Sequence, residues 1–291
     1  MFEILELIIA ILLAVLPVIV WGYIFYSKQP ENKRLTALTF ICGALAVFPI
    51  LFYKYLWQFF PWINVFKIAE PFTNQMIGIA EILSVPLSVI ITFMLVGVIE
   101  EFMKLFAVKI IDDKKFKSID DAMEYFVIAA LGFSFTENIL YFYNILITQS
   151  SGDILIPFIF RSSFSTFAHI LFSGVLGYYY GIAHFAKPML QQEIVKNRMH
   201  WTIILHKIFN IRKEKMFHQE KMLEGVLLAV GLHALFNIFL EINISFMMAP
   251  FLLIGYVSLN YLFNKAENHK NLRKLLEGER NHTQTIPETN Q

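Results

Sequence analysis

Long apolar blocks separated by short polar ones run along most of this chain, and seven of them read as membrane spans: residues 4–26, 35–57, 86–111, 122–147, 158–185, 222–243 and 246–263. A helix needs about 20 mainly apolar residues to cross a bilayer. The pattern predicts an all-α protein, a polytopic transmembrane helix bundle of about seven spans. It divides into two N-terminal helices (1–57), a core (86–243), a last helix (244–263) and a polar, mobile tail (264–291). Residues 58–85 are too broken by Pro61, Lys67, Glu70, Pro71 and Glu81 to span. They are expected to form an external loop with short interfacial helices, in a position to act as a lid. Pro86 is expected to open the third span, since proline is tolerated in a first turn.

The loops set the orientation. Lys28, Lys33 and Arg34 follow the first span and Lys109, Lys114, Lys115 and Lys117 close or follow the third; 186–221 holds eight Lys/Arg and the tail five. The loops after the second, fourth and sixth spans hold only Lys67. Lys and Arg accumulate on the cytosolic side, which puts the N-terminus outside and the tail in the cytosol. In 186–221, Trp201, Ile204, Leu205, Ile208 and Ile211 recur at helical spacing beside Lys207, Arg212 and Lys213. Such a helix suits an anionic membrane surface or a solvated face packed on its own domain. Glu3 and Glu6 lead the first span without a basic residue, so it reads as a retained helix rather than a cleaved signal.

Composition agrees with the pattern. The 291 residues are 57% hydrophobic and 16% charged, against about 25% charged in soluble proteins. The chain is therefore expected in a membrane, in contact with lipid and with no nucleic-acid partner. Its one cysteine, Cys42, rules out an intrachain disulfide and a cysteine-based zinc site.

Against this apolar background, ionisable residues inside the spans stand out. Each is expensive, by about 2.5–3.5 kcal/mol on insertion scales. The third span has Glu100, Glu101 and Lys104, the fourth Phe133, Glu137 and Asn138, the fifth Arg161, His169 and Ser173, and the sixth His233 and Asn237. Lys104 lies four residues from Glu100 and three from Glu101, within reach of either. Two carboxylates and one cation leave an acid in excess. At a rise of about 1.5 Å per residue, Glu137, His169 and His233 fall roughly 15–16 Å from the outer ends of their spans, with Glu100 near mid-span. Four helices thus bring polar groups to one layer. Arg161, counted nearer an outer end, reads as a headgroup contact or a structural ion pair. Gly177 and Gly181 form a GxxxG pair, which permits close helix packing.

Taken in order, EEFMK (Glu100 to Lys104), FSFTEN (Phe133 to Asn138), the Arg161 to His169 segment and HALFN (His233 to Asn237) resemble the motifs of the PrsW family. The resemblance covers about 86–243. It implies a polytopic intramembrane protease of a bacterial or archaeal membrane, with a membrane-spanning protein substrate such as an anti-sigma factor. There is a more distant similarity to the CAAX-protease and bacteriocin-processing family. Glu137 stands where those enzymes carry a His and Lys104 replaces a later Arg, which favours PrsW.

Hydrolysis needs a water, a base, stabilisation of the oxyanion and a proton for the leaving amine. Glu100 or Glu101 is the expected base, with the other held by Lys104. His169 and His233 would position the water or, with Glu137, hold a divalent metal such as zinc; Glu137 could instead orient a His. Asn237 or Asn138 would donate to the oxyanion, with Phe133 and Arg161 in support. A metal-free glutamate mechanism stays open. Rival readings are a proton- or ion-coupled carrier, since midplane Glu and His also mark ion pathways, and a non-catalytic scaffold. A Ser173–His169 nucleophile pair ranks low, as neighbours on one helix do not by themselves make a nucleophile and its base.

The topology is directly testable. Reporters fused after Ser151 and after Lys274 should lie on opposite sides of the membrane, and finding both on one side would refute the seven-span orientation.

Overall fold

The computed structural model describes residues 2–25, 33–78, 84–112, 116–148, 154–195, 212–242 and 244–284. The helices are α1 (Phe2–Phe25), α2 (Lys33–Leu45), α3 (Val47–Leu56), α4 (Leu87–Asp112), α5 (Ile119–Thr148), α6 (Leu155–Phe160), α7 (Thr166–His184), α8 (Ala186–Val195), α9 (Lys213–Glu241) and α10 (Met248–Gln284). A π-helical turn, Arg161–Ser165, joins α6 to α7. Five helical stretches are long and apolar enough to cross a membrane: Glu3–Phe25, Lys33–Leu56, Ile119–Thr148, Leu155–His184 and Lys213–Glu241. The chain is an integral membrane protein of the all-α class, helical but for one short strand pair. α4 is 26 residues long but carries Glu100, Glu101 and Lys104, which keep it out of that set.

α5 is the centre of the bundle. It packs on α7, α2 and α1, and α9 closes the far side against α7 and α4. Residues of α5 and α7 such as Met123, Phe126, Ala129, Ile170, Phe172 and Leu176 are almost wholly buried. Outward-facing residues of α1 and α3 are large and apolar, including Leu12, Ile19 and Phe52. Lipid tails are as apolar as leucine, so helix association rests on close packing rather than on hiding such residues. Small residues let the backbones approach. A Cβ on Gly132 of α5 would strike the Phe40 carbonyl of α2, and one on Gly43 would strike the Ala129 carbonyl of α5. Gly177 and Gly181, the predicted GxxxG pair, face α5: a Cβ at either would come within 2.9 Å of the Cα of Met123 or Ile119.

Three boundaries differ from the sequence expectation. Residues 58–85 do contain short helices, the 3₁₀ turns Pro61–Ile63 and Val65–Phe72, but also an antiparallel strand pair, β1 (Met76–Gly78) with β2 (Ser84–Pro86), in register Ile77 to Val85. Pro86 closes β2, and the helix begins at Leu87. Tyr53 fastens this segment to α3, its hydroxyl donating to the Ile63 carbonyl (2.6 Å) and accepting from the Val65 amide (3.1 Å). α9 starts at Lys213, nine residues before the apolar span, and α10 runs to Gln284 through the predicted polar tail. Hydropathy locates apolar length, whereas Lys, Glu and Gln propagate a helix well beyond it. The amphipathic pattern over 201–211 lies outside the described residues.

Gly177→Leu should destabilise the protein by about 1–3 kcal/mol, the usual consequence of forcing extra atoms into a packed interior. Unfolding in mixed detergent micelles measures it, with Gly22→Leu, whose Cβ would meet nothing within 4 Å, as the neutral control.

Candidate active site

Four helices supply the cluster. On α4, Glu100 and Glu101 point about 100° apart and stand four and three residues before Lys104, so helix geometry lets either pair with it and only the structure shows which one does. That one is Glu101. Lys104 Nζ stands 2.7 Å from Glu101 Oε1, and both side chains are fully buried. The same ammonium lies 2.9 Å from His169 Nδ1 on α7 and 4.6 Å from the centre of the Phe133 ring on α5. An ammonium has only protons to give, so Nδ1 accepts, and a neutral His169 carries its proton on Nε2. Nε2 lies 2.9 Å from Glu137 Oε2, which also receives Arg161 Nη2 at 2.7 Å.

Glu101 is the hub. Oε1 also takes His233 Nδ1 at 3.0 Å and Oε2 takes the Ser173 hydroxyl at 3.1 Å. The ionised carboxylate only accepts, so Nδ1 is the donor, and a neutral His233 then presents a lone pair on Nε2. That lone pair faces Glu100 Oε2 across 3.6 Å. Glu100 Oε2 is buried and has no hydrogen-bond partner among the described residues. Two acceptors thus face each other with no proton between them, an arrangement that calls for a water or a cation. The two imidazoles lie close, with ring centroids 5.6 Å apart at 82°, and Phe172 stacks on His233 at 5.0 Å.

Most of the residues chosen from the sequence meet here, though several are differently employed. Asn138 is fully buried with its amide spent: Nδ2 donates to Thr166 Oγ1 (3.1 Å) and Oδ1 accepts from Arg161 Nε (2.7 Å). It holds Arg161 rather than pointing at a substrate. Arg161 is not a headgroup contact; it is bound to Glu137 and Asn138 and covers the Tyr141 ring at 4.6 Å. Ser173 donates to Glu101, not to His169. Asn237, one turn beyond His233, is half-buried with no polar contact among the described residues. The expected metal set was Glu137, His169 and His233; among the described residues, a group whose ligand atoms all lie within 4.8 Å of one another is Glu100, Glu137 and His169. Sequence reasoning passed over Phe172 and Thr166, because an apolar span gives no sign of which phenylalanine stacks on a histidine or which threonine ties an asparagine.

The family described as PrsW family intramembrane metalloprotease matches residues 31–221. Protease PrsW of Geobacillus kaustophilus (strain HTA426) is 27% identical over 169 residues, a match covering 57% of this chain and 62% of that protein. No solved structure matches significantly.

The pairing makes the two glutamates separable by stability. Lys104→Met leaves Glu101 charged and buried without its cation and should destabilise by about 3–5 kcal/mol. Glu101→Gln orphans the ammonium and should be comparably harmful. Glu100→Gln, which breaks no ion pair with Lys104, should leave the unfolding midpoint in detergent nearly unchanged.

Proposed function

Because this chain belongs to the PrsW family of intramembrane metalloproteases, we propose that it is an intramembrane endopeptidase that cleaves a membrane-spanning protein with a water activated by Glu100. The observation that carries this reading is the unpartnered, buried Glu100 Oε2 opposite His233 Nε2. A water between them would donate one proton to each acceptor. Glu101 keeps His233 in the tautomer that leaves Nε2 free, and Lys104 keeps Glu101 ionised so that it can do so.

In the reaction we propose, Glu100 takes a proton from the water as its oxygen adds to the scissile carbonyl carbon. The amide of Asn237, uncommitted elsewhere, donates to the resulting oxyanion. The proton held by Glu100 passes to the peptide nitrogen as the C–N bond breaks, leaving a carboxylate and an amine. His169 and Arg161 hold Glu137 on the opposite wall.

The donor set fits a divalent cation: two carboxylates and an imidazole converge, and one carboxylate oxygen is unsatisfied. Glu100, Glu137 and His169 would hold it, and a carboxylate can ligate through one oxygen while the other takes a proton. Bound there, a metal such as zinc would polarise the carbonyl and bring the pKa of its water toward about 7. At His169 Nε2 it would displace a proton, because Nδ1 already accepts from Lys104.

The wider frame follows from the loop charges and the family. We infer seven spans, with α4 and the first part of α10 joining the five apolar ones, an external N-terminus, a cytosolic C-terminus, a bacterial or archaeal membrane, and a single-span protein such as an anti-sigma factor as substrate.

Co-expression with a library of single-span membrane proteins tests this reading. Glu100→Gln, His233→Ala and His169→Ala should each lower cleavage by about 10²–10⁴-fold, the range for loss of a general base or its partner. They should do so with the protein still present in the membrane. Cleavage products that persist undiminished in all three variants would overturn the assignment. Metal analysis of the purified protein, with activity before and after chelation, decides the cation separately.

A further inference from the structure

The apolar stretch Leu155–His184 is not one uniform helix. Its π turn at Arg161–Ser165 lies next to the site, and the amide of Thr166 bonds the carbonyl of Arg161 five residues back. A π turn amounts to one residue inserted into an α-helix. Arg161 and His169 are eight positions apart, which in an unbroken α-helix would leave them about 80° out of line. With one residue absorbed by the π turn, they stand as if seven apart, within about 20° of one face. That phase lets Arg161 Nη2 and His169 Nε2 reach the same oxygen, Glu137 Oε2, at 2.7 and 2.9 Å.

An inserted residue disturbs the regular hydrogen-bond ladder, and the carbonyls beside it need other donors. Trp21 Nε1, from α1, donates to the Ser162 carbonyl at 2.7 Å, and Thr166 Oγ1 adds a second bond to the Arg161 carbonyl at 3.0 Å. The indole is fixed by stacking: its ring lies 4.9 Å from Phe167 at 24°, with Phe25 at 6.1 Å on the same helix. Trp21 precedes the segment that matches the family, residues 31–221.

We propose that Trp21 is a positioning residue of the active site: by donating to the Ser162 carbonyl it holds the π turn, and the π turn holds Arg161 in phase with His169 on Glu137. Trp21 touches none of the reacting groups. This inference rests on the catalytic reading given above for what the alignment accomplishes, but the alignment itself can be tested without activity.

Trp21→Phe keeps a stacking ring and removes only the donor. It should lower kcat by about tenfold to a hundredfold, the scale of a small misplacement of catalytic groups, with KM little changed. Deleting Ser163 removes the inserted residue, so that a plain α-helix then places Arg161 and His169 seven apart. In that background Trp21→Phe should cost almost nothing. An equal loss with and without Ser163 would mean that Trp21 acts through packing alone and would overturn the proposal. The activity-independent arm uses Cys42→Ser protein carrying Glu137→Cys and Arg161→Cys and a short rigid bismaleimide. Crosslinking should be efficient with Trp21 and several-fold slower with Phe at that position; equal rates would overturn the proposal even if the deletion variant fails to accumulate. If no variant, wild type included, cleaves any substrate, the catalytic reading fails while the crosslinking still decides the role of Trp21.

Discussion

The site depends on one buried ion pair, Lys104 with Glu101. A charge inside a helix bundle is tolerated when a partner and further hydrogen bonds absorb it, and here the absorption is shared. Glu101 takes protons from Lys104, His233 and Ser173, while Lys104 also reaches His169 and the face of Phe133. The pair therefore fixes the tautomers of both histidines. His233 must donate from Nδ1 and His169 must accept at Nδ1, so their Nε2 atoms turn toward Glu100 and Glu137. The charge excess noted in the sequence is resolved by division of labour, with one glutamate held and its neighbour left free.

Much of this was legible because intramembrane polarity is costly enough to be informative. Once the spans were set, Glu100, Glu101, Glu137, His169 and His233 stood out, and equal counting from the span ends placed them together. Counting left the role of Arg161 open between a headgroup contact and a structural ion pair, because its partner Glu137 lies on another helix and no residue type announces a π turn. Which of Glu100 and Glu101 pairs with Lys104 was likewise closed to sequence, since spacings of three and four both allow it; in the structure it is Glu101.

The edges of the elements were less legible for a different reason. Apolar blocks report where a membrane would be, not where backbone hydrogen bonds end. Lys213–Lys221 is polar yet helical, because Glu, Lys and Met favour helix with or without lipid. Strands of three residues such as Met76–Gly78 are too short for any alternation to register. The close crossings at Gly43 and Gly132 are invisible for the opposite reason: a glycine in an apolar span has many uses, and only the facing carbonyl reveals which one applies.

The separation of the site's parts along the chain bears on how the protein is made. Glu101 and His233 are 132 residues apart, so at about 5–20 residues per second of synthesis the histidine emerges roughly 7–26 s after the glutamate. During that interval α4 must already occupy the membrane or wait beside it. Its own Lys104, one turn away, is the only site partner that arrives at once. Until then Lys104 is the partner within its own helix that can offset the charge of Glu101. Loss of α9 as a whole, rather than of one side chain within it, would then surface as disposal of the young chain by quality control.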